Sequence, residues 1–168
     1  RIPHIDVGQL LRDEVEKGTV LGERIKIKME RGELIDPTIA PEIVRKRLDN
    51  IDCKMGFILD GFPRDVKQAK VLEEITSIDV VILLKINDAV AIKRLTNRWQ
   101  CMKCDMIYGI TILPKKKGFC DKCNRKLVKR KDDSPVLIKK RLKLYHNVTK
   151  PVIDYFKIQK RVITIDAS

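Results

Sequence analysis

The sequence predicts an α/β fold: a doubly wound parallel sheet carrying a small four-cysteine insertion. Three observations point there. Short β-rich runs alternate with amphipathic segments along most of the chain, the order expected when helices are laid on a parallel sheet. One run, Val80-Val-Ile-Leu-Leu84, is apolar without interruption, as a parallel strand covered on both faces should be. From Trp99 to about Lys129 the periodicity stops, and two Cys-x-x-Cys pairs stand in its place. The 168 residues allow one domain of ordinary size with such an insertion.

Ile2–Ile5 reads as a short first strand. Val7, Leu10, Leu11 and Val15 then share one face at helical spacing, and Gly18 marks the end of that helix. Leu21, Ile25 and Met29 define a second helix, stopped near Gly32. Pro41 suits the first turn of a third, whose inner face is Ile43, Val44 and Leu48. Gly56-Phe-Ile-Leu-Asp60 reads as a buried strand ending in an acid, followed by the loop Gly61-Phe-Pro-Arg64 and a helix carrying Val66, Ala69, Leu72 and Ile75. After the Val80–Leu84 strand, Ala89, Ile92 and Leu95 make another helix. A long helix resumes at Pro135 with Val136, Leu142, Tyr145, Val148 and Ile153, and Arg161–Asp166 is a last strand.

Apolar residues make up 43% of the chain, enough for a real core, which excludes general disorder. No apolar run approaches the ~20 residues of a membrane span, and no basic stretch followed by an apolar one opens the chain as a secretion signal would. The net charge is +13, and residues 101–150, with 15 Lys/Arg against 4 Asp/Glu, hold +11 of it. An anionic partner is expected there: phosphates, nucleic acid or a membrane surface, with a plain solvated basic face as the alternative.

Cys101-x2-Cys104-x15-Cys120-x2-Cys123 has the spacing of a four-cysteine zinc site. Each pair offers two thiolates from one tight turn, and two turns complete a tetrahedron. Soft sulfur ligands favour zinc or iron–sulfur, and with no open coordination position the role is structural. Lys103, Lys122 and Arg125 would offset the charge of the filled site. Cys53 has no partner at metal spacing and reads as a buried small hydrophobe. The odd cysteine count and the metal pattern suit a reducing compartment, hence a cytoplasmic protein.

Asp60-Gly61-Phe62-Pro63-Arg64 directly follows a predicted strand, which places a carboxylate and a guanidinium where open α/β sheets bind ligands. Arg94 and Arg98 are four apart on one helix and can clamp one anion together. Arg130 and Arg141 add two guanidiniums, with Asp132 and Asp133 between them. Arginines at several separated sites suit a polyphosphate, because the guanidinium fork grips phosphate through two bonds.

From Ile2 to Ile165 the chain resembles the adenylate kinase family, in the long form with a zinc-bearing lid and the phosphate-loop nucleoside-monophosphate kinase fold. The resemblance is carried by Gly8 with Leu10-Leu11-Arg12, by Asp60–Arg64 with Gln68, by Arg94 and Arg98, by the four cysteines, by Lys131-Asp132-Asp133, and by Arg141-Leu142 and Tyr145-His146. It implies reversible phosphoryl transfer from ATP to AMP giving two ADP, with Mg²⁺, in nucleotide homeostasis. Arg12, Leu34, Ile35, Gly61, Arg64 and Gln68 would bind AMP, with Arg64 on the phosphate and Gln68 on the adenine edge. Arg94 and Arg98 would face ATP. Arg130 and Arg141 would close over the phosphates of both nucleotides, and Asp60 would hold magnesium through water. Arg64, Arg98, Arg130, Arg141 and Asp60 are thus the catalytic set, and Asp132 and Asp133 the lid hinge. A core of residues 1–98 and 131–168, with AMP-binding helices in about 6–50, would carry a lid of residues 99–130. A monomer without nucleic-acid or membrane partners is expected.

Phosphoryl transfer needs positioning and charge neutralisation more than acid–base groups, in keeping with a sequence whose only histidines are His4 and His146. Closure of a lid would keep water from the transferred phosphate.

Three departures from the family pattern stand out. Asp6-Val7-Gly8-Gln9 replaces the usual Ser-Thr-Gly-Asp, removing a hydroxyl beside the acceptor nucleotide. Ile112-Leu113-Pro114 replaces Asn-Pro-Pro in the lid. None of the eight glycines makes the phosphate loop G-x-x-x-x-G-K. Residues 1–168 alone are therefore expected to lack kinase activity. Either they are part of a longer protein or they form a remnant without ATP binding, and the retained Arg94, Arg98, Arg130 and Arg141 favour the first. Two other functions stay open at this point: another nucleoside-monophosphate kinase, using UMP, CMP or GTP, and a non-catalytic zinc-ribbon nucleic-acid binder. Against the latter, the aromatics near the ribbon are only Trp99, Tyr108 and Phe119, too few for a stacking platform.

Overall fold

A computed structural model describes residues 2–31, 33, 35–36 and 38–168. These divide into two compact units, Arg1–Leu83 with Lys143–Thr164, and Leu84–Leu142 with Ile165–Ser168.

The first unit opens with β1 (His4–Asp6) and three helices, α1 (Val7–Glu16), α2 (Val20–Glu30) and α3 (Ile39–Leu48). Each start has a local cause. Asp6 accepts the Gln9 N–H at 3.1 Å and so caps α1; Thr19 does the same for Gly22 at 3.0 Å and caps α2. Pro41 falls in the first turn of α3, where its missing N–H costs nothing. The apolar faces of these helices close on Ile5, Val7, Leu11, Ile25, Val44 and Phe62, all buried.

A 3₁₀ turn, Ile51–Cys53, leads to β2 (Ile58–Asp60), which lies parallel to β1 in the register His4–Ile58, Ile5–Leu59, Asp6–Asp60. Pro3 cannot donate, but its carbonyl accepts from the Ile58 N–H and extends the ladder by one bond. α4 (Val66–Ile75) is capped by Asp65, whose carboxylate accepts the Gln68 N–H at 2.8 Å.

β3 (Val81–Lys85) pairs with β6 (Val162–Asp166). The Val81 N–H bonds the Arg161 carbonyl and the Ala167 N–H bonds that of Lys85, so both strands ascend together and the pair is parallel. The expectation that the Val80–Leu84 run is covered on both faces is corrected here. Val81 joins Ala69, Val152 and Phe156 in a cluster, whereas Ile82 and Leu84 are 56% and 60% exposed. Strand side chains alternate, and helices cover only one face of this pair among the described residues.

The second unit contains α5 (Asp88–Thr96), capped by Asn87, then β4 (Trp99–Gln100) antiparallel to β5 (Ile107–Tyr108), and α6 (Pro135–Leu144). The long helix expected from Pro135 is interrupted. A π-turn, Tyr145–Thr149, separates α6 from α7 (Lys150–Ile158). Pro151 has no N–H, and its ring crowds the carbonyl four residues back, so the helix widens by a residue just before it. In the first unit, Glu73 on α4 accepts from the Tyr155 hydroxyl at 2.5 Å and from Arg161 at 3.1 Å, which ties α4, α7 and the start of β6 together. No helix among the described residues is long and apolar enough to cross a membrane.

Gly22 sits where α2 crosses α1. A Cβ there would lie 2.6 Å from the Glu14 backbone carbonyl, and backbone cannot swing away. Gly22→Ala is expected to destabilise the protein by about 1–3 kcal/mol through overpacking. An unchanged urea midpoint in that variant would show that the two helices part freely.

Candidate active site and metal centre

The parallel register brings Asp6 and Asp60 side by side at the carboxyl ends of β1 and β2. Two adjacent carboxylates need partners, and each has one. Asp6 caps α1 and accepts from Arg12 at 3.3 Å. Asp60 faces His4 Nε2 at 3.3 Å, with both side chains more than half exposed. Arg12 is held a second time, by Gln9 Oε1 at 2.8 Å, and Gln9 in turn donates to Asp13. Gln9 and Asp6, two of the positions that depart from the family pattern, are thus the residues that orient Arg12.

The loop after β2 turns sharply. Gly61 has φ +77°, and a Cβ there would lie 3.2 Å from the Arg64 guanidinium, so a side chain would be both strained and in the way. The Phe62–Pro63 bond is cis, and Phe62 is buried in the core. Arg64 follows, with Nε donating to the Gly61 carbonyl at 2.7 Å and its backbone N–H to Gln68 Oε1 at 2.8 Å. Gln68 is buried, and its side-chain oxygen serves the loop backbone. The Arg64 carbonyl accepts from the Thr149 hydroxyl at 2.9 Å.

The second unit gathers arginines around two acids. Arg98 grips Asp133 through two bonds, 2.8 and 2.6 Å, and the Asp133 side chain is fully buried. Arg130 grips Asp132 likewise, at 2.9 and 2.7 Å. Arg141 reaches Asp132 at 3.2 Å and Asp133 at 3.5 Å. Among the described residues these three cations face two anions. Burial lowers the Arg141 pKa; Asp132 pulls it back, and Arg98 and Arg130 press it down again. Arg94, one turn before Arg98, donates instead to the carbonyls of Ala167 and Ser168, each at 2.8 Å, so the two do not clamp one group here. Leu34 lies outside the described residues; Ile35 is half-buried against the first unit's core.

The four cysteine sulfurs lie within 4.8 Å of one another, with Cys101–Cys123 at 3.3 Å, Cys104–Cys120 at 3.4 Å and Cys104–Cys123 at 3.7 Å. Tetrahedral ligands at ~2.3 Å from a zinc ion sit ~3.8 Å apart, so the group is close to the size of such a site. The two pairs form matching turns. Cys101 N–H bonds Met106 and Cys120 N–H bonds Arg125; Asp105 N–H returns to Cys101 and Asn124 N–H to Cys120. Asp105 and Asn124 both hold positive φ, 55° and 53°, a region that Asp and Asn enter more readily than most residues.

These turns aim backbone N–H groups at sulfur. At Cys120 burial pushes the thiol up, but the Cys123 N–H and the Tyr108 hydroxyl outweigh it and bring it to about 6. At Cys104 the Met106 N–H pulls down, while burial and the neighbouring sulfurs push up, to about 12. Without an ion the group ionises in part; a divalent cation at its centre would favour all four thiolates. Tyr108 is buried beneath, accepting from the Asp121 N–H at 2.8 Å and donating to Cys120. The sequence alone marks it only as an aromatic near the ribbon. A Tyr opposite a Trp on a short hairpin, twelve residues before a ligand, is too weak a signal to assign that role. The Asp and Asn that directly follow each Cys pair were a readable one. Cys53 is buried as expected, with Arg47 donating to its sulfur at 3.0 Å and burial pushing the thiol up.

These features define an α/β protein with arginine-rich strand and helix ends and a four-thiol insertion. The family model described as adenylate kinase matches residues 1–161. An adenylate kinase of Petrotoga mobilis is 40% identical over 174 residues, covering 100% of this chain and 80% of its own length. One of Treponema denticola is 42% identical, with 99% and 80% covered, and one of Methanocella arvoryzae is 40% identical, with 98% and 79% covered. The chain belongs to the adenylate kinase family, phosphotransferases that move a phosphoryl group reversibly from magnesium-bound ATP to AMP and so form two ADP.

Burial pushes the Asp132 carboxyl up, but the hydrogen bonds and charges of Arg130 and Arg141 outweigh it and hold it below the usual carboxylate range. Its folded pKa is thus lower than the unfolded value of about 3.9, so its stabilisation is present above about pH 4 and is lost as pH falls through the folded value. Asp132→Asn is expected to flatten the fall in urea midpoint on that acid limb. A limb of unchanged steepness would remove Asp132 from the balance.

Proposed function

We propose that residues of the first unit take AMP and those of the second take ATP and the phosphates. The Arg64 turn is the observation that carries this reading most directly. Its guanidinium stands on a loop held at both ends, directly after a strand whose carboxyl end is where α/β sheets bind ligands. Arg64 takes the AMP phosphate, with Arg12 beside it and Gly61 giving close backbone approach. Gln68, Leu34 and Ile35 bound the base. Arg94 and Arg98 take ATP, and Arg130 and Arg141 neutralise the phosphates of both. The work required is positioning and charge compensation, which guanidiniums supply without proton transfer.

Asp60 suits a hydrated Mg²⁺ by the chemistry of its donor: a hard carboxylate, well exposed, with room for the waters this ion keeps. When bound with ATP, Mg²⁺ would supply charge neutralisation at the phosphates. The four cysteines hold one structural Zn²⁺; their softness, number and spacing support it. The lid is 99–130, the stretch that contains β4, β5 and every thiol of the group, with Asp132 and Asp133 as its hinge and the core at 1–98 and 131–168. The AMP helices fall within about 6–50. The protein acts as a cytoplasmic monomer, with no nucleic-acid or membrane partner.

Arg64→Lys keeps the charge and loses the fork. It is expected to weaken AMP binding by well over tenfold. A value close to the parent's would take Arg64 out of the site.

Metal analysis is expected to give one zinc per chain, and chelation to lower the thermal midpoint, because metal binding there is folding free energy. Zinc-free protein of undiminished stability, or paired disulfides among the four cysteines, would overturn this assignment.

A further inference from the structure

Arg64 presents its guanidinium from a side chain whose Nε donates to the Gly61 carbonyl at 2.7 Å, and the backbone that carries it is fixed at two points. Gln68 holds the N–H from four residues away, within the same loop and helix start. Thr149 holds the carbonyl from 85 residues away, at 2.9 Å. Neither bond touches the guanidinium, yet together they fix the plane of the peptide groups on either side of it.

Thr149 is the last residue of the π-turn Tyr145–Thr149. In an ordinary helix a Thr hydroxyl tends to return to a carbonyl three or four residues back. Here it leaves its own helix for the Arg64 carbonyl. The widened turn, forced by Pro151, is what releases it. Turns of this kind are less stable than regular helix and persist mostly where a function needs them.

We propose that Thr149 is a positioning residue for AMP: its hydroxyl fixes the Arg64 peptide so that the guanidinium meets the phosphate. This rests on the reading of Arg64 as the phosphate residue given above. The effect belongs to the phosphate alone, because the base is bounded by other residues.

The test compares the affinities of the full chain for AMP and for adenosine, which lacks the phosphate, in Thr149→Val, Thr149→Ser and Arg64→Lys. Thr149→Val keeps the shape and removes the donor. It is expected to weaken AMP binding by about three- to tenfold, the effect of one hydrogen bond, with adenosine binding unchanged. Thr149→Ser should restore AMP affinity to near the parent value. Equal losses for AMP and adenosine, no loss, or failure of Ser to rescue would overturn the proposal and leave Thr149 a merely structural residue. Should Arg64→Lys leave AMP affinity intact, the reading of Arg64 falls, and the role of Thr149 falls with it.

Discussion

The side-by-side parallel pairing of β1 with β2 is the constraint on which the first unit's charged end depends. One register places Asp6 level with Asp60. A slip of one residue in either strand would turn its apolar side chain, Ile5 or Leu59, outward and its acid inward, so the apolar interior enforces the register. Once it is set, the rest follows in sequence. Asp6 starts α1 and orients Arg12; Asp60 ends β2 at the point where Gly61 must turn; the turn delivers Arg64 to the start of α4. Each charged group is thereby attached to a backbone whose path is dictated by burial elsewhere.

The thiol insertion obeys a different rule. Its buried residues are few, Cys101, Tyr108, Cys120 and Leu127 among them, too small a set to hold a fold by apolar burial alone. What organises it is the repetition of one turn, with N–H groups converging on sulfur and a positive-φ Asp or Asn closing each pair.

Much of this was legible in the sequence, and the reasons differ by element. The helices were readable because sets such as Val7, Leu10, Leu11 and Val15 recur at helical spacing and bury one face. The metal group was readable because ligand spacing is itself the chemistry. The cover over β3 was not: an apolar run specifies a preference for burial, while the neighbours that provide it come from remote residues, and here Val81 meets them while Ile82 and Leu84 stay exposed. The break in the long helix was also missed, although Pro151 lies in plain view, because a proline can kink, end or widen a helix and the outcome is decided by what the freed groups meet. Among the charged residues, sequence order identified the arginines. It could not show that Arg94 turns to the carbonyls of 167 and 168 while Arg98 turns to Asp133.

The arginine cluster of the second unit has a bearing on selectivity. Arg98, Arg130 and Arg141 each already face Asp132 or Asp133, so an anion arriving there competes with a carboxylate. Association there is an exchange of one anion for another, and its driving force is the difference between the two. A small, singly bound oxyanion gains little by such an exchange. The buried Asp133 and the half-buried Asp132 thus set a threshold that any anion arriving at these arginines has to exceed.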